Sequence, residues 1–441
     1  MPETTSAAAL SAQKIKRISN RTRWIAVLWL VAAISVGGMA VTGPYGWDVR
    51  QCWTAIQSVG HGGSAYAGGI AALKAYEDLP SHAAGDRQPV IYIYSPLTIP
   101  VLRLLAMFPG WLLGPLYSCV AAAGFLLQLR AGYQMATEEE RRWLIFLLPF
   151  AAFFPGLLSD VTIVAENIAY VLYGLILATA IPGWKRNKWT WFYVAVVAAS
   201  VVKVPMLTLL AFPVLVGRRQ WVQASIAGAA GSLLVVIQPL LWPAQFHEYL
   251  RAVHLAFDTM HSFGFGPAGL VGNWLWTMRR PYSLAATITY LAWAAGLGTL
   301  LLTASYHVRR NDRLRELWIP VALLGTILLD PRITFYDTAP LTIPLLLIGW
   351  RVLRLGQETV TRSRAGHASS SIQSAPLQTA RSDRRNLVLI LMGAGCFAAC
   401  NIIDMIWGDW VPMELAVLLL IFALGIWSLY KSADDLVAEN L

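Results

Sequence analysis

Apolar residues fall along this chain in long blocks, with little of the strict alternation of a half-buried strand. The blocks lie at 24–41, 96–108, 111–129, 143–158, 162–181, 190–203, 205–217, 221–241, 284–305, 316–329, 338–353, 387–406 and 411–430. Several approach the ~20 residues a helix needs to cross a bilayer. Backbone inside lipid must satisfy its own hydrogen bonds, and helices do so within one segment. The pattern predicts an all-α, polytopic integral membrane protein with roughly 11–13 membrane helices.

Two places break the regularity. Residues 184–188 (WKRNK) and the pair Arg218-Arg219 are both basic, yet only 190–217 separates them. That stretch is too short for two full spans. It predicts a broken hairpin, two short helices meeting at Lys203-Val204-Pro205, its tip below the membrane surface. Non-helical backbone at that depth is tolerated only around a protein-lined or wet cavity. The segment 92–129 is ambiguous in the same way. If 130–142 is cytoplasmic, 96–108 is re-entrant or surface-lying; if 96–108 spans, 130–142 is external.

The polar stretches have their own patterns. Residues 49–59 read as an amphipathic helix with Cys52, Trp53, Ile56 and Val59 on its apolar side, and 68–79 as another. Such helices next to a span lie in the interface plane. Residues 1–23 form a basic tail, 356–386 a Ser-, Thr- and Gln-rich flexible linker, and 431–441 a second tail. Between them stand a membrane domain over 24–355 and a terminal hairpin over 387–430.

Composition supports this division. Of 441 residues 57% are hydrophobic and only 13% charged, far from the ~25% charged of soluble domains. The 34 Lys and Arg against 24 Asp and Glu leave a net charge of +10. In a membrane protein that excess collects in cytoplasmic loops, so nucleic acid is not implied. The basic stretches near 1–23, 218–219, 307–316 and 351–385 are predicted to be cytoplasmic. Residues 42–91, 242–283, 330–337 and 407–410 are then external. The four Cys show neither disulfide nor zinc spacing.

Ionisable groups in membrane segments are costly and therefore point to function. Asp48, Asp160, Glu166, Lys203, His247, His254, Asp258, His261, Asp330, Arg332 and Asp337 all fall on the external side of this topology. Each has a plainer reading. Spacing alone slightly favours Asp48 as an N-cap. Asp160 and Glu166 suit the positive end of a helix, Lys203 can snorkel, and Asp330 can pair locally with Arg332. The histidines recur every seven residues, too far apart for a good zinc site.

One helix, an external loop with early Asp48, the tyrosines Tyr92 and Tyr94 before Pro96, Lys203 before Pro205, and a closing PRITFYD segment follow in order. Over about residues 20–350 this resembles the GT-C membrane glycosyltransferases, in particular glycosyltransferase family 87, the polyprenyl-phosphate-mannose-dependent α-1,2-mannosyltransferase-like family. Ser95-Pro96 stands where that family pairs two prolines, and Glu166-Asn167 takes the place of its G-Q-x-N turn.

The resemblance implies an enzyme of a bacterial inner membrane that works on the external face. A hexose, mannose-like, would pass from a polyprenyl-phosphate donor to a glycan or glycolipid acceptor with inversion. Asp48 would be the general base. Lys203 and Arg332 would meet the phosphate, and Tyr92, Tyr94, Glu166, Asn167, Tyr336 and Asp337 would complete the substrate site. No cofactor or metal is implied, and membrane lipids are the surrounding partner. A multi-span transporter or flippase, or a non-catalytic polysaccharide assembly protein, is the competing class.

Overall fold

The computed structural model describes residues 47–77, 91–153, 167–260, 264–311, 314–365, 385–396, 399 and 413–439. The predicted first span at 24–41 lies outside them, as do Asp160, Glu166 and His261. Every regular element among the described residues is helical. Among the described residues five helices are long and apolar enough to cross a membrane: Gly110–Met135, Trp221–Leu241, Ser283–Arg309, Ala339–Gln357 and Glu414–Ser432. The protein is an all-α polytopic membrane protein.

The first described elements are short. Helices α1 (Trp47–Gly60), α2 (Ala67–Glu77) and α3 (Ile99–Leu105) match the two predicted interfacial helices and the doubtful segment 96–108. The long α4 (Gly110–Met135) and α5 (Glu138–Phe153) follow, then α6 (Ala169–Arg186) and α7 (Thr190–Ser200). A 3₁₀ stretch over Val204–Leu210 leads into α8 (Ala211–Val216). Next come α9 (Trp221–Val236), α10 (Pro243–Met260), α11 (Pro267–Thr277), α12 (Ser283–Arg309) and α13 (Arg315–Leu328). The set closes with α14 (Thr342–Ala365), α15 (Arg385–Cys396) and α16 (Met413–Glu439).

Side-chain contacts sort the helix ends onto two sides. On one side, the Arg351 guanidinium reaches Glu140 at 2.6 Å and the Glu316 carbonyl at 2.7 Å. Arg315 donates to the Trp184 carbonyl at 2.8 Å, Arg309 to that of Val214, and Asn187 to that of Arg218. On the other side, Ser95 donates to the Val201 carbonyl at 2.6 Å, and Phe265 N to that of Ile333 at 2.8 Å. We call these the basic end and the site end.

This arrangement bears on the path of 92–142. Residues 135–140 share the basic end with 184–187, 308–311 and 314–316. Helix α3, only seven residues long, stays at the site end, where Ala106 meets Gly60 of α1. Segment 96–108 therefore does not cross to the basic end.

The broken hairpin takes the predicted form. At ~1.5 Å per residue, the 11 residues of α7 rise about 16 Å, roughly half of a ~30 Å hydrocarbon core. The chain turns at Lys203, and the return runs through a seven-residue 3₁₀ stretch. Proline at 205 suits that start, because its missing N–H falls where no helical partner exists. Helix α6 stops nearby for a local reason: Asn187 adopts a left-handed conformation (φ 56°), and its N–H closes on the Gly183 carbonyl, a C-terminal cap open to asparagine.

Packing follows membrane rules. A Cβ on Gly174 would come within 2.2 Å of the Gly124 carbonyl oxygen, so α4 and α6 touch backbone to backbone through small residues. Helix α13 is buried along its whole length from Trp318 to Leu328, as expected for a segment apolar all round. A second core joins α1, α2, α3 and α10 through Tyr66, Leu73, Ile91, Tyr92, Tyr94, Ala252 and Ala256. That module roofs the site end.

Two expectations need correction. Residues 242–283 contain helices α10 and α11 besides loop, because Phe246, Tyr249, Val253 and Phe257 recur at helical spacing. The linker does not begin at 356: α14 continues to Ala365, and a helix already starts at Arg385. Arg351 stands at the basic end, where its charge suggests, and is 7% exposed and ion-paired.

Candidate functional site

Four separate pieces of chain converge at the site end. Asp48 comes from the first turn of α1, Asn167 from just before α6, Lys203 from the hairpin tip, and residues 330–337 from the segment after α13. Asp48 is only 8% exposed. Its Oδ1 accepts from Gln51 Nε2 at 2.6 Å and its Oδ2 from Asn167 Nδ2 at 2.8 Å.

Burial pushes the Asp48 carboxyl above the usual aspartate range. The Asn167 amide, the Lys203 ammonium, the Tyr336 hydroxyl and the Gln51 amide all oppose that rise. Removal from water penalises the charged form, and donors and cations restore it. The neighbouring Cys52 thiol is pushed up to about 12 by burial and then by the Asp48 charge. A thiol in that state is not a nucleophile at neutral pH.

Asp337 belongs to a tight local structure. Thr334 N and Thr334 Oγ1 donate to its Oδ2 at 3.0 and 2.7 Å. Tyr173 OH donates to its Oδ1 at 3.1 Å, and Lys203 Nζ stands 3.7 Å from the same oxygen. Lys203 also lies over the Tyr336 ring, 5.4 Å from its centroid. Asp330 accepts from Arg332 N at 2.8 Å. Burial first and the Asp337 charge second hold the Asp330 carboxyl well above its usual range. The Arg332 guanidinium sits 5.0 Å above the Phe257 ring of α10.

The structure thus brings together Asp48, Asn167, Lys203, Arg332, Tyr336 and Asp337. It places Tyr92 and Tyr94 differently. They are 4% and 6% exposed within the second core, with rings 5.3 Å apart. Tyr92 OH pairs with Thr98 at 2.7 Å, and the Tyr94 carbonyl accepts from Tyr66 OH. They form part of the roof of the site, and Tyr94 faces Asp48. Glu166 lies outside the described residues. Gln51, Tyr173, Thr334 and Phe257 escape sequence reasoning. Of these only Gln51, three residues after Asp48 and so on the same helix face, was open to detection by spacing.

A buried aspartate, a lysine and an arginine gathered at one end of a bundle of membrane helices define a membrane protein with a recessed polar site. Residues 92–331 of the chain match glycosyltransferase family 87. That stretch covers more than half of the chain, which belongs to this family and is a glycosyltransferase. No curated protein matches the chain. Asn167 and Lys203 lie inside the matched stretch. Asp48 precedes it and Arg332, Tyr336 and Asp337 follow it, so geometry alone joins them to one site.

Proposed function

We propose that the protein transfers a hexose, mannose-like, from a polyprenyl-phosphate donor to an envelope glycan or glycolipid acceptor on the external face of a bacterial inner membrane. The observation that supports this best is the position of Asp48: a buried carboxylate with Lys203 and Tyr336 close by, at the end of the bundle opposite the basic contacts. A GT-C type of active site, open to lipid and facing away from the cytoplasm, fits that placement.

In this reading Asp48 takes the proton of the acceptor hydroxyl. The hydroxyl oxygen forms its bond to the anomeric carbon as the bond from that carbon to the phosphate oxygen breaks. The electron pair leaves with the polyprenyl phosphate, and one displacement from the opposite face inverts the centre. A raised carboxyl pKa makes the ionised Asp48 a stronger base. Lys203 and Arg332 stabilise the growing phosphate charge, Arg332 by its fork of donors and Lys203 as a point charge. Family membership sets aside the transporter and assembly readings.

The test is transfer by the full-length protein in vesicles, supplied with polyprenyl-phosphate mannose and, separately, other polyprenyl-phosphate hexoses. The acceptor is a glycolipid extract from bacterial envelopes, and products are read by mass spectrometry. Lipid-phosphate-dependent transfer with inverted anomeric configuration supports the proposal. Transfer from a nucleotide sugar alone would overturn it.

A further inference from the structure

Resting on the reading of Asp48 as general base, we infer that Asn167 is a positioning residue that fixes the plane of the Asp48 carboxylate, with Gln51 as the second jaw of the clamp. A side-chain amide can face either way, and here its sense is determined by its neighbours. Ala169 N, among the first N–H groups of α6 and lacking a helical acceptor, donates to Asn167 Oδ1 at 2.9 Å. The amide oxygen therefore points to the helix and the NH₂ group to Asp48 Oδ2, 2.8 Å away. Gln51 holds the other oxygen from within α1 at 2.6 Å.

The two jaws come from elements more than a hundred residues apart, so the carboxylate cannot turn without breaking one of them. Each carboxylate oxygen has two lone pairs. Each jaw uses one and the Tyr336 hydroxyl is a third donor, leaving one for an incoming hydroxyl. Asn167 is 2% exposed and its oxygen is engaged, so it acts on the reaction through Asp48 and does not grip the sugar.

Four other titratable groups face Asp48. Cys52 lies on α1, Tyr94 precedes α3, Lys203 is at the hairpin tip, and Tyr336 follows α13. Cys52 and Tyr94 are pushed upward by burial and stay neutral in the acid range. Asp330, also raised by burial, titrates in the same range, so Asp48 is read from the shift of the acid limb between parent and variants that leave Asp330 untouched.

The experiment compares pH–rate profiles of the full-length protein, Asn167→Asp, Asn167→Ala and Gln51→Leu in vesicles with polyprenyl-phosphate mannose and envelope glycolipid. Asn167→Asp keeps an oxygen for Ala169 N–H, and Asp caps as well as Asn, so the local fold should persist, with a thermal midpoint near the parent's in acid and below it at higher pH. It exchanges the donor for a second acid, and the acid limb should move up by about 1–3 pH units. Asn167→Ala and Gln51→Leu each remove one donor, and their limbs should move up by about one unit. Gln51→Leu keeps the assignment testable if the Asn167 variants fold poorly. Acid limbs unmoved in the folded variants, while Asp48→Asn is inactive, would overturn the positioning role alone. Full activity of Asp48→Asn would instead sink the base reading on which it rests.

Discussion

Lys203 Nζ stands 3.7 Å from Asp337 Oδ1, with the two side chains 18% and 9% exposed. The pair ties the tip of a broken membrane hairpin to the segment after the most buried helix. Its distance is long for a hydrogen bond, whereas Asp337 is held at normal distances by Tyr173 and Thr334. Asp337 is thus the fixed partner and Lys203 the adjustable one, suited to lean toward a second anion.

From that relation, Lys203→Ala should leave the fold intact and depress turnover strongly. Loss of a preorganised charge in a water-poor site costs about 2–4 kcal/mol, roughly 10²–10³-fold in rate. Asp337→Asn keeps its oxygen for Thr334 and turns its NH₂ to the Tyr173 hydroxyl, which can accept instead of donate, so the chief loss is the charge. Its loss should be the smaller of the two. Steady-state transfer from polyprenyl-phosphate mannose measures both, and wild-type rates for Lys203→Ala would place the phosphate elsewhere.

At the opposite end, Arg351 and Glu140 are both buried and 2.6 Å apart. Arg351 also serves the carbonyls of Glu316 and Met135, so it binds three helix ends together. Glu140→Leu alone strands a buried guanidinium, and about 3–5 kcal/mol of stability should be lost. Adding Arg351→Met should recover much of that, since an apolar pair of similar volume is often neutral. Thermal unfolding in detergent reads both effects. Turnover per folded molecule should not change, because the pair lies far from Asp48.

The outcome at Arg351 shows what the sequence could and could not tell. Block length and the spacing of basic loops made the helical membrane fold legible, and charge parity alone revealed the hairpin bent at Lys203. The same rule put Arg351 on the basic side but could not show that it is buried in an ion pair. Its partner Glu140 lies 211 residues away, a distance no local pattern bridges. The site behaved similarly. Asp48, Lys203 and Asp337 were detectable as charges out of place, whereas the amide contact between Asn167 and Asp48 exists only in three dimensions. Tyr92 and Tyr94 were legible as aromatic residues at a membrane boundary, but their burial, with Tyr94 facing Asp48, was not.

Orientation is open to direct labelling. The Lys/Arg asymmetry predicts that the basic end is cytoplasmic. His61 is exposed in the turn after α1 at the site end. A cysteine there should react with an impermeant maleimide in intact cells or spheroplasts. One at Ser370 should react only after lysis. The native Cys52 is half-buried beside Asp48, and Cys119 and Cys396 are exposed, so labelling is compared with the parent protein as background. The reverse labelling pattern would invert the scheme and put Asp48 on the cytoplasmic side.

The decisive residue remains Asp48. It lies in the first turn of α1, and a purely structural aspartate there would be replaced without loss by Asn, which matches it in size and capping strength. Asp48→Asn should therefore fold normally in either case. If Asp48 is the base, the amide cannot accept the acceptor's proton, and transfer should fall by about 10²–10⁴-fold. Asp48→Glu keeps the charge but shifts it by one methylene, and partial activity should remain. The pH dependence adds an independent check. Burial raises the Asp48 pKa, so its proton returns at a higher pH than for an ordinary aspartate near 3.9. The base must be ionised to work; as pH falls, activity should fade through that raised pKa, earlier than an exposed aspartate would require. Initial rates across the acid range, with Tm followed in parallel, separate this titration from unfolding. A profile flat down to the ordinary aspartate range in a folded protein would argue that Asp48 does not take the proton.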